Sequence, residues 1–147
     1  MQNRVDQLFI RLAKLFRTIE EKGLVAAKLV EEKDIIDKFY NKSVSMVLDG
    51  SIPEHIDLIL SFELAKSIRD NLDDETIKCL ILIKKLIEPV RHLEYDNIIE
   101  FAKVWASTEV YHEINDRILQ KYVQRDFENA KAQEVCRIKF DDIIEVK

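Results

Sequence analysis

Glycine and proline are scarce in this chain, and that scarcity limits what it can fold into. The sequence has two glycines and two prolines in 147 residues. These residues most often interrupt or end helices, and helical periodicity runs almost unbroken from Arg4 to about Phe127. The first stretch places its apolar residues on one side of a helix, at Val5, Leu8, Phe9, Leu12, Leu15, Phe16 and Ile19. The sequence therefore predicts an all-α, single-domain bundle of five to seven helices.

Turn residues divide the first half of the chain into predicted helices. The first helix spans about residues 3–21, and Gly23 is a candidate for its end. Residues 24–48 form one helix or two, with a possible interruption at 41–43. After the turn at 49–50, Ser51 and Glu54 are spaced for a capping box and Pro53 falls in the first turn. The helix over residues 52–71 is predicted to face inward with Ile56, Ile59, Leu60, Leu64 and Ile68.

The second half contains the predicted central helix. It starts at Asp73 or Asp74 and continues through residues 86–87. Because it is apolar on more than one face, it is predicted to be the most buried helix. Pro89 closes or kinks it. From residue 96 the pattern fits one long helix to about residue 127, or two helices that break at 107–108. Residues 1–134 form the predicted helical domain. Residues 135–147 form a short irregular or strand-like tail, since Cys136, Ile138 and Phe140 alternate with charged residues.

Composition excludes several functions. The formal net charge of −5 argues against nucleic-acid binding, which needs a basic face. No apolar run approaches the roughly 18–20 residues of a transmembrane helix, and charged residues interrupt the N-terminal stretch where a signal peptide would be apolar. Two cysteines support no disulfide framework. We expect a cytoplasmic protein with no transmembrane segment and no cofactor.

One pair of residues has the spacing of a metal site. Glu109 and His112 form a Glu-x-x-His, which places a carboxylate and an imidazole on one face of a helix, as in di-iron bundles. Such sites need the motif twice, and neither His55 nor His92 repeats it. No nucleophile motif or glycine-rich phosphate loop is present. The sequence thus predicts that the chain is not an enzyme, with a metal-binding bundle enzyme as the alternative.

The first helix offers two ways to meet a partner. Its apolar residues follow 4-3-4-3 spacing, typical of packing against other helices of the chain or of pairing between two copies. Val5, Phe9, Leu12, Phe16 and Ile19 are the candidate interaction residues. Arg4, Arg11, Lys14 and Arg17 lie opposite this stripe, so the helix could alternatively lie on an anionic membrane surface.

Residues 23–63 resemble a known segment. The run from Val47 through Asp49-Gly50 to Pro53-Glu54, followed by an apolar helix that reaches Glu63, is similar to the cytoplasmic segment of flagellar stator proteins of the MotA type. Those proteins continue into membrane helices, whereas residues from Leu72 onward are amphipathic here. The resemblance implies a helical module that docks on a larger motor or membrane assembly, and it assigns no functional residue.

These observations predict a non-enzymatic helical module for protein–protein interaction or scaffolding that associates with itself or with a protein partner. The alternatives are the metal-binding enzyme that uses Glu109 and His112, and a membrane-surface regulator that docks through the first helix.

Overall fold

The computed structural model describes residues 3–118 and is built from helices, which confirms the all-α prediction. In this part of the chain there are six α-helices and no strand. They are α1 (Arg4–Lys22), α2 (Ile35–Leu48), α3 (Pro53–Arg69), α4 (Asp74–Arg91), α5 (Tyr95–Trp105) and α6 (Thr108–His112). A 3-10 turn (Leu24–Ala26) follows α1, and a π-helical turn (Glu113–Ile118) follows α6. The predicted tail at 135–147 lies outside the described residues.

Helix α4 is the centre of the bundle. It packs against α1, α2, α3 and α5, and α1 also contacts α5 and α6 on the other side. The prediction of a central helix is confirmed, but burial is shared. Helix α1 buries nine residues, and α2 and α4 bury eight each, so these three helices form most of the core together. Among the described helices, none is both long enough and apolar enough to cross a lipid bilayer.

Side-chain caps fix where four of the helices begin. The side chains of Asn3, Asp34, Asp73 and Ser107 each accept a hydrogen bond from a backbone N–H in the first turn. Of the two alternatives for the C-terminal helices, the break at 107–108 is therefore the one the structure adopts. The buried carboxylate of Asp6 also accepts the backbone N–H of Ser107 at 2.9 Å, which ties the start of α1 to the turn before α6.

The region between α1 and α2 is not helical throughout, so the single-helix alternative for 24–48 is wrong. After the 3-10 turn, the chain is irregular until Asp34. The Asn41 side chain holds it there: Oδ1 accepts from Val30 N at 2.8 Å, and Nδ2 donates to Val30 O at 2.7 Å. The possible interruption at 41–43 does not occur, because Asn41 lies within α2 with its side chain bonded to this other segment.

Two further boundaries differ from the prediction. Helix α3 begins at Pro53 without a side-chain cap, so Ser51 and Glu54 form no capping box. Instead the backbone N–H of Ser51 donates to Met46 O and helps to end α2, where Gly50 is left-handed with φ 76°. Pro89 does not close α4, which continues to Arg91. Left-handed Leu93 follows the end of the helix, and there the N–H of Glu94 donates to the Pro89 carbonyl.

Candidate interaction surface

The five predicted interaction residues of α1 lie in the core of the single chain. Each of these side chains is at most 7% exposed: Val5, Phe9, Leu12, Phe16 and Ile19. They belong to the same buried cluster as the inner residues of α4. The stripe is therefore covered by other helices of the same chain, and the large exposed apolar side chains lie outside α1.

Helix α3 carries an apolar face directed away from the bundle. At 100° per residue, Leu58, Phe62 and Ala65 fall within an arc of about 60°, on the side of α3 opposite the buried Ile56 and Leu60. We call these three residues, with the flanking Ser61 and Ile68, the outer face of α3. Its large side chains are the exposed ones: Leu58 is 52% exposed, Phe62 67% and Ile68 55%.

The predicted inner face of α3 is partly wrong. Ile68 was assigned to the inner face but is mostly exposed, because it lies about 120° around the helix from Ile56. Ile59 and Leu64 are half-buried. Leu58 and Phe62 were assigned to no face, although their four-residue spacing, continued by Ala65, was a readable signal of a second apolar stripe.

Few side chains attach α3 to the bundle. Its buried residues are Ile56, Leu60 and Ser67. Ion pairs flank this narrow contact: Lys84 Nζ of α4 lies 2.9 Å from Asp57 Oδ1, and Lys42 Nζ of α2 lies 2.6 Å from Glu63 Oε1. The bond from Lys42 lowers the pKa of the Glu63 carboxyl, outweighing the opposite effect of partial burial. These pairs hold α3 in place with its second apolar stripe facing solvent.

Charge is distributed unevenly along the outside of α3. Glu54 lies in its first turn, whereas Lys66 and Arg69 lie in its last. This order is favourable to the helix dipole, because carboxylates are stabilised near the N-terminus and cations near the C-terminus. Both ends are exposed: the Arg69 side chain is 77% accessible, and its Nε lies 4.0 Å from Oδ1 of Asp70, a residue that is itself exposed. The outer face is therefore an apolar stripe with an acidic end and a basic end.

A second feature is a basic cleft between α1 and the turn that follows it. The cleft has a volume of about 400 Å³, and its cationic lining consists of Arg11, Lys14, Lys22 and Lys28. Arg11 is engaged inside the protein: its Nη1 lies 2.9 Å from Asp37 Oδ1, and its guanidinium lies 5.0 Å from the centre of the Tyr40 ring. The remaining three cations are exposed lysines. Val25, in the same lining, is 90% exposed.

The candidate metal pair does not gather further ligands. Glu109 and His112 both lie exposed on α6. His112 Nδ1 lies 4.0 Å from Oδ2 of Asp116 on the following turn. Within residues 3–118, no group of three or more His, Cys, Asp or Glu side chains is placed to hold a metal ion. The geometry gives a metal-binding function no support.

Cys79 is placed as a core residue of α4. The side chain is fully buried, and burial raises the pKa of its thiol to about 11. A thiol of this kind is protonated at neutral pH and behaves as a small apolar group rather than as a nucleophile. Cys136 lies outside the described residues.

Comparison with known proteins gave no matching family model, no matching curated sequence and no matching solved structure.

Proposed function

We propose that the chain is a non-enzymatic helical module for protein–protein interaction, and that the outer face of α3 is its docking surface. The observation that carries the proposal is the exposure of Leu58, Phe62 and Ile68 along one side of a helix whose opposite side is already packed. Contiguous apolar surface of this kind is typical of interaction sites.

The energy available from this surface suits a reversible contact. Completing the burial of a half-exposed leucine or phenylalanine is worth roughly 1–2 kcal/mol. The outer face offers a few such side chains, from which the loss of translational and rotational freedom must be subtracted. We therefore propose regulated or transient docking. The partner we propose is a second copy of the chain or another protein, and the resemblance of residues 23–63 to MotA-type stator segments would make that protein part of a larger motor or membrane assembly.

Site-specific photocrosslinking in cells tests the proposal. A photoreactive phenylalanine analogue replaces Phe62, and a matched control places it at Lys85, an exposed position on α4. We expect protein adducts from position 62 that disappear when Leu58→Asp is added, and no such adducts from position 85. If position 62 gives no protein adduct, neither with another protein nor with a second copy, the proposal fails.

One observation favours a second function, contact with an anionic membrane surface. Val25 is 90% exposed beside Lys22 and Lys28, so an apolar tip stands next to cations. Co-sedimentation with vesicles of phosphatidylserine and phosphatidylcholine should show binding that salt reverses and that Val25→Asp weakens. The matched control is Val104→Asp, which makes the same change at another largely exposed valine, since Val104 is 77% exposed. Absence of binding at low salt would remove this function.

A further inference from the structure

We infer that the occupant of the outer face of α3 is the same face of a second copy of this chain, docked antiparallel about a two-fold axis that passes between residues 61 and 62. This inference rests on the proposed function and names its partner. Three properties of the outer face support it: the order of large and small side chains, the order of charges, and the position of the face on the bundle.

The first property is steric. With the axis between 61 and 62, Leu58 of one copy lies opposite Ala65 of the second, and Phe62 lies opposite Ser61. Leu58 and Phe62 therefore each meet a small side chain, which lets the two helices approach closely and interdigitate in the middle of the contact. A two-fold axis repeats every such contact twice. Leu58 and Phe62 are the two exposed large residues that this register would cover at the middle of the contact.

The second property is electrostatic. The same register places Glu54 of one copy opposite Arg69 of the other, at both ends of the contact. A parallel arrangement would instead put Glu54 beside Glu54 and Arg69 beside Arg69. The antiparallel direction also sets opposite helix dipoles side by side, so charge complementarity selects it. Glu54 and Arg69 are exposed, so they can reach across the contact.

The third property is position. Helix α3 lies at the edge of the bundle, packed principally on α2 and α4, and its outer face points away from both. A second copy can therefore be added without opening the core. A helix of 17 residues is about 25 Å long, so a contact limited to two such helices is smaller than a standard stable interface. We expect a weak dimer, with a Kd on the order of 100 µM.

Sedimentation velocity of the full chain, from about 5 µM to about 1 mM, tests the pairing. We expect the sedimentation coefficient to rise from that of a monomer toward that of a dimer. Phe62→Asp should weaken the dimer at least about 10-fold, because it places two carboxylates at the axis. Lys85→Asp, an equally drastic change on exposed α4, is the matched control and should leave the dimer unchanged. Circular dichroism confirms that each variant is folded.

Charge reversal tests the direction and the register. Glu54→Arg alone and Arg69→Glu alone should each raise the Kd by roughly 5-fold, because each brings like charges together twice. The double variant restores opposite charges and should return the Kd to the original value. Failure of this rescue overturns the antiparallel register.

The outcomes separate this inference from the proposed function. A monomer at every concentration, together with adducts from position 62 to another protein, overturns self-pairing and keeps the interaction module. A dimer that Phe62→Asp does not weaken also overturns self-pairing through this face. A monomer with no adduct at position 62 overturns both.

Discussion

Helices α3 and α4 are neighbours of nearly equal length, with 17 and 18 residues, yet their apolar residues serve different surfaces. Helix α4 buries eight residues, and Leu82, Leu86 and Val90 are among those that have no exposed surface. Helix α3 buries three and leaves Leu58, Phe62 and Ile68 in water. The apolar residues of α4 are covered because the rest of the chain surrounds that helix. Helix α3 has more apolar surface than the chain covers.

This difference shows that a helix can carry more apolar residues than its packing on the bundle requires. A helix requires one buried stripe to be held on a bundle, and α3 obtains that from Ile56 and Leu60. Leu58 and Phe62 add nothing to the core of the single chain. The proposed docking contact would explain their presence, and changes made in one helix at a time test it.

The largest effect on stability is expected from truncating matched leucines. Leu86→Ala leaves a cavity in the core and should lower the free energy of unfolding by about 3 kcal/mol. Leu58→Ala removes a half-exposed side chain and should change it by less than about 0.5 kcal/mol. Urea denaturation at a protein concentration of about 5 µM, where the chain is expected to be monomeric, measures both. Equal losses would show that Leu58 is part of the core.

Thiol reactivity compares the inner side of α4 with the outer side of α3. In a Cys136→Ser background, Phe62→Cys should react with a thiol reagent rapidly, and Cys79 slowly. Burial raises the pKa of Cys79 from 9.0 to about 11, which alone lowers its thiolate fraction by about 100-fold, and burial also blocks access. The ratio of the two rates, measured at pH 8, should therefore exceed about 100-fold. Comparable rates would show that α4 opens easily.

Acid titration examines how α3 is attached. Because the ion pair with Lys42 lowers the pKa of Glu63 below its ordinary 4.5, its stabilising contribution is present above pH 4.5 and is lost as the pH falls through the lowered value. Both side chains are 42% exposed, so Glu63→Gln should cost only about 0.5 kcal/mol at neutral pH. The variant should also lose part of the acid sensitivity seen in urea denaturation. Glu54→Gln, on the opposite side of the helix, is the control.

The smallest effect is expected at the helix ends. Asn71, after α3, and Leu93, after α4, both have left-handed backbones, with φ 57° and 59°. Asn71→Gly relieves a mild backbone cost and should raise the free energy of unfolding by about 0.5 kcal/mol. Leu93→Gly relieves more strain but removes a side chain that packs on the core, and should be destabilising. Thermal unfolding distinguishes these opposite signs.

The sequence was sufficient to predict the helices that build the core. In α1 and α4 the apolar residues recur at helical spacing, and the structure packs these stripes against each other. The start of α4 at Asp73 and the break at 107–108, each among the predicted alternatives, depend on caps that bond only one turn away. Such features are predictable because their cause lies within a few residues.

Features that depend on distant partners could not be read in this way. The irregular segment before α2 is fixed by Asn41, a residue 11 positions from the Val30 backbone that it binds. Ser51 had the residue type of a cap but serves to end the previous helix. The spacing of Leu58, Phe62 and Ala65 does indicate a second apolar stripe on α3, but such spacing does not show whether the same chain covers the stripe.

The placement of α4 at the centre of the bundle also has a consequence during synthesis. Helix α1 leaves the ribosome first, but α4, its main partner in the core, ends about 70 residues later in the chain. At about 5–20 residues per second, translation of that interval takes on the order of 3–14 seconds. For that time Phe9, Leu12 and Phe16 cannot pack on α4, which favours aggregation of the nascent chain or its capture by chaperones until α4 emerges.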